Sequence, residues 1–467
     1  MADISIVICY IIATVVVGYI AGSKVKTMKD FAVANKTFPT AVLVSTIFAT
    51  WMGGDDLIGV SERIYSLGCL FLLVVCAQTF SLLIHAYVIA PKILRDFSSK
   101  ISIGEIMGEL YGKPGQVLSG IASMFFSIGY VAVQVSSIGY VCNLFFGVSH
   151  FYGTIIGSLV IIMYSSIGGI RSVVFTDVLQ FGILTIGIPL MASVALGKVG
   201  GFSSLVNSLP PSHLDLGPSN NEFWSQIAFL VVCAFPYFNP MLMQRILMAR
   251  GTKQATLSLT VSGILYIPFY LVIAIIALCA VVLFPGIDPN NAFLSVLNHS
   301  LPPVVKGIAI SGVCAVVMST ADSFLNLASV SATRDVFGVL MKDKLSDKME
   351  LRISRIVTVV FGFASIYVAT MFTHMIDFSI YFSNFWAPTV IAPMLLYIFG
   401  YKTDIKTYLY SLATGLVAII IYRYSMPDDF NIVSQLFGAF VTLICMFFFG
   451  ILNSKRCIKL KPVIVSE

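Results

Sequence analysis

Runs of about twenty mostly apolar residues follow one another along nearly the whole chain, separated by short polar turns. About twenty helical residues cross the hydrocarbon of a bilayer. Lipid offers no hydrogen bonds, so a spanning backbone must satisfy itself as a helix or a closed barrel. Thirteen runs are counted, at about 4–22, 40–65, 67–91, 115–145, 149–168, 172–196, 222–245, 257–285, 303–333, 352–371, 376–400, 405–423 and 431–452. The expected class is an all-α polytopic membrane protein of 13 transmembrane helices. Charged residues make up 11% of the chain, against about 25% in soluble domains, which argues against a soluble enzyme. The net charge of +6 does not point to nucleic acid, because the basic residues sit in short loops.

Those basic residues give a direction. Cytoplasmic loops are enriched in Lys and Arg. With the N-terminus outside and the C-terminus cytoplasmic, 24 of the 28 fall on the inner side, Arg245 among them; Arg63, Lys198, Lys306 and Arg423 are left over. The first run has no basic leader and no small-residue cleavage site, so it reads as a retained helix. A plasma membrane, of the bacterial inner type, is the expected location. The nine cysteines show no CxxC spacing and read as small packing residues within the spans.

Two spans are interrupted. The second contains ATWMGGDDLIG (49–59) and the seventh FPYFNPMLMQR (235–245), five spans apart. Broken helices at matching positions of two halves point to an inverted-repeat secondary transporter with a midplane site. The expected organisation is one transmembrane domain, 1–467. Its first repeat is 39–196 and its second 222–400, and 401–467 adds two helices and a cytoplasmic tail.

The phrase AVVMSTADSFLNLAS (315–329) sets Ser319, Thr320, Asp322, Ser323 and Asn326 in an otherwise apolar span. An aspartate at a helix centre costs roughly 2.5–3.5 kcal/mol on insertion scales. Such a cluster must therefore face the protein interior. Hydroxyls and carboxylates are hard oxygen donors that suit a cation such as Na⁺. Gly53 and Gly54 relax the second span and free carbonyls for the same purpose. Asp55 and Asp56, as neighbours, point different ways; one would meet a substrate, and the other would pair with Arg63 or face water. Trp51 either packs or offers its face to a quaternary ammonium. Asp177, six residues beyond Arg171, would lie about 9 Å inside the membrane, and Asp322 about 18 Å. The two could share a second cation site. Alternatively Asp177 braces its helix through Thr176 or Gln180. His85 reads as a satisfied interior histidine.

Together GGIRSVVFTDVLQ, MSTADS and ATWMGGDDLIG resemble the sodium:solute symporter family, and look most like its high-affinity choline transporter subgroup. The likeness includes the pair Gln244–Arg245 ending the seventh span. The resemblance implies a leucine-transporter-type 5+5 core with one helix before it and two after. It implies a sodium site from the carbonyls of Ala49, Met52 and Val316 and the hydroxyls of Ser319 and Thr320. A second sodium would use Asp177, Asp322 and Ser323, with Ser319. The substrate set is Trp51, Asp55, Asp56, Phe80, Tyr130, Tyr237 and Asn239. Trp51 matches a tryptophan of the choline cage, Tyr130 another aromatic, and Phe80 a tyrosine. Asn239 stands where the cage has a tryptophan, and Asp55 and Asp56 replace uncharged residues. The implied cargo is a cationic or zwitterionic amine, choline-like or amino-acid-like.

The functional expectation is a Na⁺-coupled symporter that imports a small organic solute by alternating access, with one or two Na⁺ as coupling ions. Its partners are the small-molecule substrate and the lipid bilayer, with no nucleic acid and no obligatory protein partner. No Ser-His, Cys-His or HExxH arrangement suggests an enzyme. A proton-coupled carrier using Asp55 or Asp56 remains open. So does a solute sensor of the same fold, though about fifteen residues follow position 452, too few for a signalling domain.

Overall fold

The computed structural model describes residues 2–217, 222–341, 345–371, 384–426, 431–452 and 457–459. The chain is mostly helical, about 87%. Helix α1 (Ala2–Gly22) is followed by a short helix, Met28–Val33, N-capped by Thr27. Ala34, Asn35 and Lys36 then take left-handed φ of 48°, 52° and 57°. That turn bends the path by 114° into α2 (Thr40–Trp51). Met52 and Gly53 are extended, and α3 (Gly54–Leu67) restarts the helix. Helix α4 (Leu72–Ile84) continues through a π turn at His85–Ile89. Helix α5 (Ile103–Phe146) is bent at Gly112, and α6 (His150–Val199) is broken at Gly169.

The second half opens with α7 (Phe223–Ala234), a non-helical stretch at 235–239, and α8 (Pro240–Met248). Next come α9 (Thr252–Leu283), α10 (Val305–Val330) and α11 (Asp347–Met371). After the π turn Ala387–Ile391, the chain ends in α12 (Ile405–Ser425) and α13 (Asn431–Leu452). Strand Tyr401–Thr403 pairs antiparallel with Cys457–Lys459. His374 and the start of the expected span 376–400 lie outside the described residues.

Eight helical runs among the described residues are long and apolar enough to cross a membrane, or nine if the bent pair ending at Trp51 is one span. Part of the difference from thirteen lies in the breaks, and the expected spans 376–400 and 431–452 enter only as the shorter apolar helices Ala387–Ile398 and Ser434–Phe449. The expected spans 149–168 and 172–196 form one 50-residue run, α6. The interrupted segments fall into halves too short to count alone.

Helix α10 is the axis of the bundle. Its most apolar window is 94% buried, and it packs on α1, α2, α5, α6 and α11. Helix α1 lies on α6 through glycines. A Cβ on Gly168 would come within 2.3 Å of Gly22 Cα, and Ser172 Oγ donates to Gly18 O at 2.5 Å. Gly18 and Gly22 form the small-xxx-small pattern that lets two backbones touch.

Candidate functional site

The break between α2 and α3 leaves backbone groups without helical partners, and side chains answer several of them. Asp56 Oδ2 accepts from Gly53 N–H at 3.0 Å, and Gln134 Oε1 of α5 accepts from Gly54 N–H at 3.2 Å. Tyr266 of α9 donates to Ile47 O and Phe48 O, at 3.3 and 2.7 Å. The carbonyls of Ala49, Thr50 and Met52 turn toward α10. Ser319 Oγ donates to Ala49 O at 2.7 Å and to Val316 O at 2.9 Å. Thr320 Oγ1 donates to Met52 O at 3.1 Å, to Thr50 O at 3.2 Å and to Val316 O at 3.2 Å. Close approach of the two elements requires a glycine, since a Cβ on Gly54 would meet Val317 Cγ2 at 2.9 Å.

The carbonyls of Ala49, Met52 and Val316 and the hydroxyls of Ser319 and Thr320 are thus gathered at one point. All five residues are buried. Three carbonyls and two hydroxyls form an uncharged, all-oxygen donor set, which fits an alkali cation better than a softer metal. Among the described residues, no group of three or more His, Cys, Asp or Glu is placed to hold a metal.

One turn further along α10, the second expected cation position has a different content. Asp177 Oδ2 accepts from Thr46 at 2.5 Å and Thr50 at 3.2 Å. Asp322 Oδ2 accepts from Tyr164 at 2.7 Å and Thr176 at 3.3 Å, and Oδ1 from Ser323 at 3.4 Å. Arg245 of α8, 1% exposed, reaches into this group. Its Nη2 donates to Ser323 Oγ at 2.5 Å and Thr50 Oγ1 at 3.2 Å, and lies 3.6 Å from Asp177 Oδ2. This corrects the sequence reading in two respects. Arg245 is not a loop charge, because a buried guanidinium needs a carboxylate and α6 supplies one. Nor does Asp177 brace its own helix: Thr176 turns to Asp322, and Gln180 donates to Tyr10.

The substrate set is only partly assembled. Trp51 is half-buried, and its Nε1 donates to Gln78 Oε1 at 3.1 Å. Tyr130 stacks between Phe126 and Phe324, at 4.7 and 4.8 Å between ring centres. Phe126 also meets Tyr237 and Trp386, and Trp386 Nε1 donates to Tyr237 O at 3.4 Å. Tyr237 donates to Gln435. Three members of the set have other surroundings. Phe80 is 57% exposed and projects away from the core; Gln78, two residues earlier, is the one that meets Trp51. Asp56 is engaged as the cap of α3 and accepts from Tyr270 at 2.9 Å. Asn239 caps α8, accepting from Met241 N–H at 3.0 Å. The side chain of Asp55 lies outside the described residues. His85 is buried, with Nδ1 at 2.8 Å from Ser81 O. Gln78, Gln134, Tyr164 and Trp386 were not read from the sequence, where nothing links them to the breaks.

Solved structures share this fold. A Na⁺-coupled sialic acid symporter in a substrate-bound, outward-open state superposes with a TM-score of 0.85 at 18% identity, over 98% of this chain and 99% of that one. Residues 31–415 match the sodium:solute symporter family, and the chain belongs to that family. It is an integral membrane transporter and not an enzyme. The sodium/glucose cotransporter of Vibrio parahaemolyticus is 23% identical, over 86% of this chain and 81% of its own length. The high-affinity choline transporter 1 of Drosophila melanogaster is 26% identical, over 90% and 70%.

Proposed function

We propose that this protein is a Na⁺-coupled symporter that imports a small organic solute, and that sodium sits between Ala49, Met52, Val316, Ser319 and Thr320. The observation that carries this reading is the meeting of freed α2 carbonyls with the α10 hydroxyl pair. An ion there would take over the carbonyls to which Ser319 and Thr320 now donate, tying the broken span to the central helix. A cation that binds one conformation more tightly shifts the population toward it, and this differential affinity is what couples the gradient to transport.

In this reading thirteen spans form two inverted repeats, 39–196 and 222–400, with the N-terminus outside and the C-terminus in the cytoplasm. Substrate completes the site near Trp51, Asp55, Tyr130 and Tyr237. The aromatic cluster runs down to Phe324, one turn from Thr320 on the same face of α10, so substrate and ion share a wall. A cationic or zwitterionic amine suits these aromatic faces and the carboxylate that Asp55 would supply; relatives named for choline and for glucose support an organic solute without choosing one.

Uptake measured at fixed pH, with Na⁺ replaced by K⁺, tests the coupling. We expect uptake to collapse. Undiminished uptake that rises as pH falls would make this a proton-coupled carrier instead. Thermal-shift screening against choline, betaine, carnitine, proline, polyamines and sugars, with and without Na⁺, identifies the cargo. For a cationic cargo, Asp55→Asn should weaken transport, and a normal mutant would reject the acidic-site reading.

A further inference from the structure

Helix α13 lies outside both proposed repeats, yet its first turns reach the second break. We infer that Gln435 of α13 is a positioning residue: it accepts the Tyr237 hydroxyl and so sets the aromatic face that the second break presents to substrate. The inference rests on the symporter reading, in which Tyr237 lines the substrate site, and adds to that site an element beyond the repeats.

The sequence of α13, NIVSQLFGAFVTLICMFFFGIL, is almost wholly apolar. An amide in such a helix is costly against lipid and turns toward protein. Ser434 and Gln435 are 1% and 2% exposed, whereas Phe440 is 60% exposed. Ser434 Oγ donates to Asn384 Oδ1 at 3.2 Å, and the Tyr237 hydroxyl donates to Gln435 Oε1. Two neighbouring side chains thus hold two separate elements, the segment that carries Trp386 and the second break.

The register of α13 is itself fixed. A Cβ on Gly415 of α12 would meet Thr442 Oγ1 at 1.9 Å, Gly438 O at 2.9 Å and Pro388 Cβ at 3.1 Å. Helices packed backbone to backbone in this way resist sliding, so Gln435 arrives at a set height. From the other side, the buried Trp386 donates from Nε1 to Tyr237 O at 3.4 Å. Tyr237 is therefore held by its hydroxyl and by its carbonyl. Its ring lies 6.1 Å from that of Phe126, which stacks on Tyr130. The next residue, Phe238, takes a φ of 48°, a conformation that a bulky residue keeps only where its surroundings impose it. Side chains of a site keep their geometry when packing and outer hydrogen bonds lock them. Gln435 supplies such a bond to the substrate wall.

Tryptophan fluorescence of the full-length protein tests the positioning without knowledge of the substrate. The chain has three tryptophans; with Trp51→Phe and Trp224→Phe, Trp386 is the reporter. Gln435→Ala should shift its emission to longer wavelength and make it easier to quench with acrylamide, because a loosened break admits water to the indole. Tyr237→Phe should give the same shift, and the double variant no more than either, since both remove one contact. Gln435→Glu keeps an acceptor oxygen and should match the parent. The compound among choline, betaine, carnitine, proline, polyamines and sugars that stabilises wild type should bind Gln435→Ala about tenfold more weakly, with sodium binding unchanged. An unshifted Gln435→Ala spectrum overturns the inference, as do additive shifts in the double variant or equal affinity for that compound. A wild type that binds no sodium rejects the symporter reading itself, and the substrate role of Tyr237 with it. If no compound stabilises the wild type, or the parent with two phenylalanines does not fold, the remaining measurement decides alone.

Discussion

The Thr320 hydroxyl lies within donating distance of three carbonyls, and one of them, Val316 O, belongs to the preceding turn of the same helix. Removing the hydroxyl takes one oxygen from the sodium set and leaves Met52 O without its donor. One such contact is worth about 1–3 kcal/mol, so Thr320→Ala should raise the sodium concentration for half-maximal uptake about tenfold. An unchanged sodium dependence would reject the site. Asp56 makes a different prediction, because it caps α3 and accepts from Tyr270. Asp56→Ala should cost about 1 kcal/mol of stability, read as a lower melting temperature in detergent. A stable variant with altered substrate affinity alone would return Asp56 to the substrate set. That Ser319 and Thr320 face the protein interior was legible because a hydroxyl pair in an apolar helix is costly against lipid. Arg245 and Gln78 were not, because their partners lie far away in sequence: Arg245 meets Asp177 across 68 positions, and nothing local announces the pair.

At the scale of elements, glycine and proline marked the two helix interruptions. The pair Gly53–Gly54 and the run from Pro236 to Pro240 both fall where the helix is interrupted, by extended backbone at 52–53 and by a non-helical stretch at 235–239 in which Phe238 takes a φ of 48°. The break in α6 at Gly169 was read instead as a loop between separate spans, since one glycine with φ 51° can turn a helix without ending its hydrogen-bonded run. The glycines of α1 belong to another contact. Their role depends on what α6 presents, so it could not be read from α1 alone. Gly22→Leu should force α1 away from Gly168 and Ser172, where even a Cβ meets Ser172 Oγ at 2.5 Å. Overpacking of this kind costs about 1–3 kcal/mol. Faster proteolysis within residues 2–22 at unchanged sodium affinity is the expected result, and loss of sodium binding would place α1 in the transport machinery.

For the whole molecule, the proposed orientation is open to a direct check. Single cysteines at Ser98 and at Gly286 should be labelled by an impermeant maleimide only from inside and only from outside, respectively; the reverse pattern would invert the topology. On the proposed inner side, Arg334 bridges Glu105 of α5 at 2.7 Å and Glu350 of α11 at 2.8 Å. An exposed pair contributes little, but one cation shared between two carboxylates joins three elements. The central helix carries a consequence of another kind. Its most apolar window is 94% buried, whereas that of α12 is 33% buried. The sodium position is therefore insulated from acyl chains, and a thicker or thinner bilayer strains the rim of the protein and leaves the axis alone. In liposomes of graded lipid length, turnover should vary while the affinity for sodium stays constant.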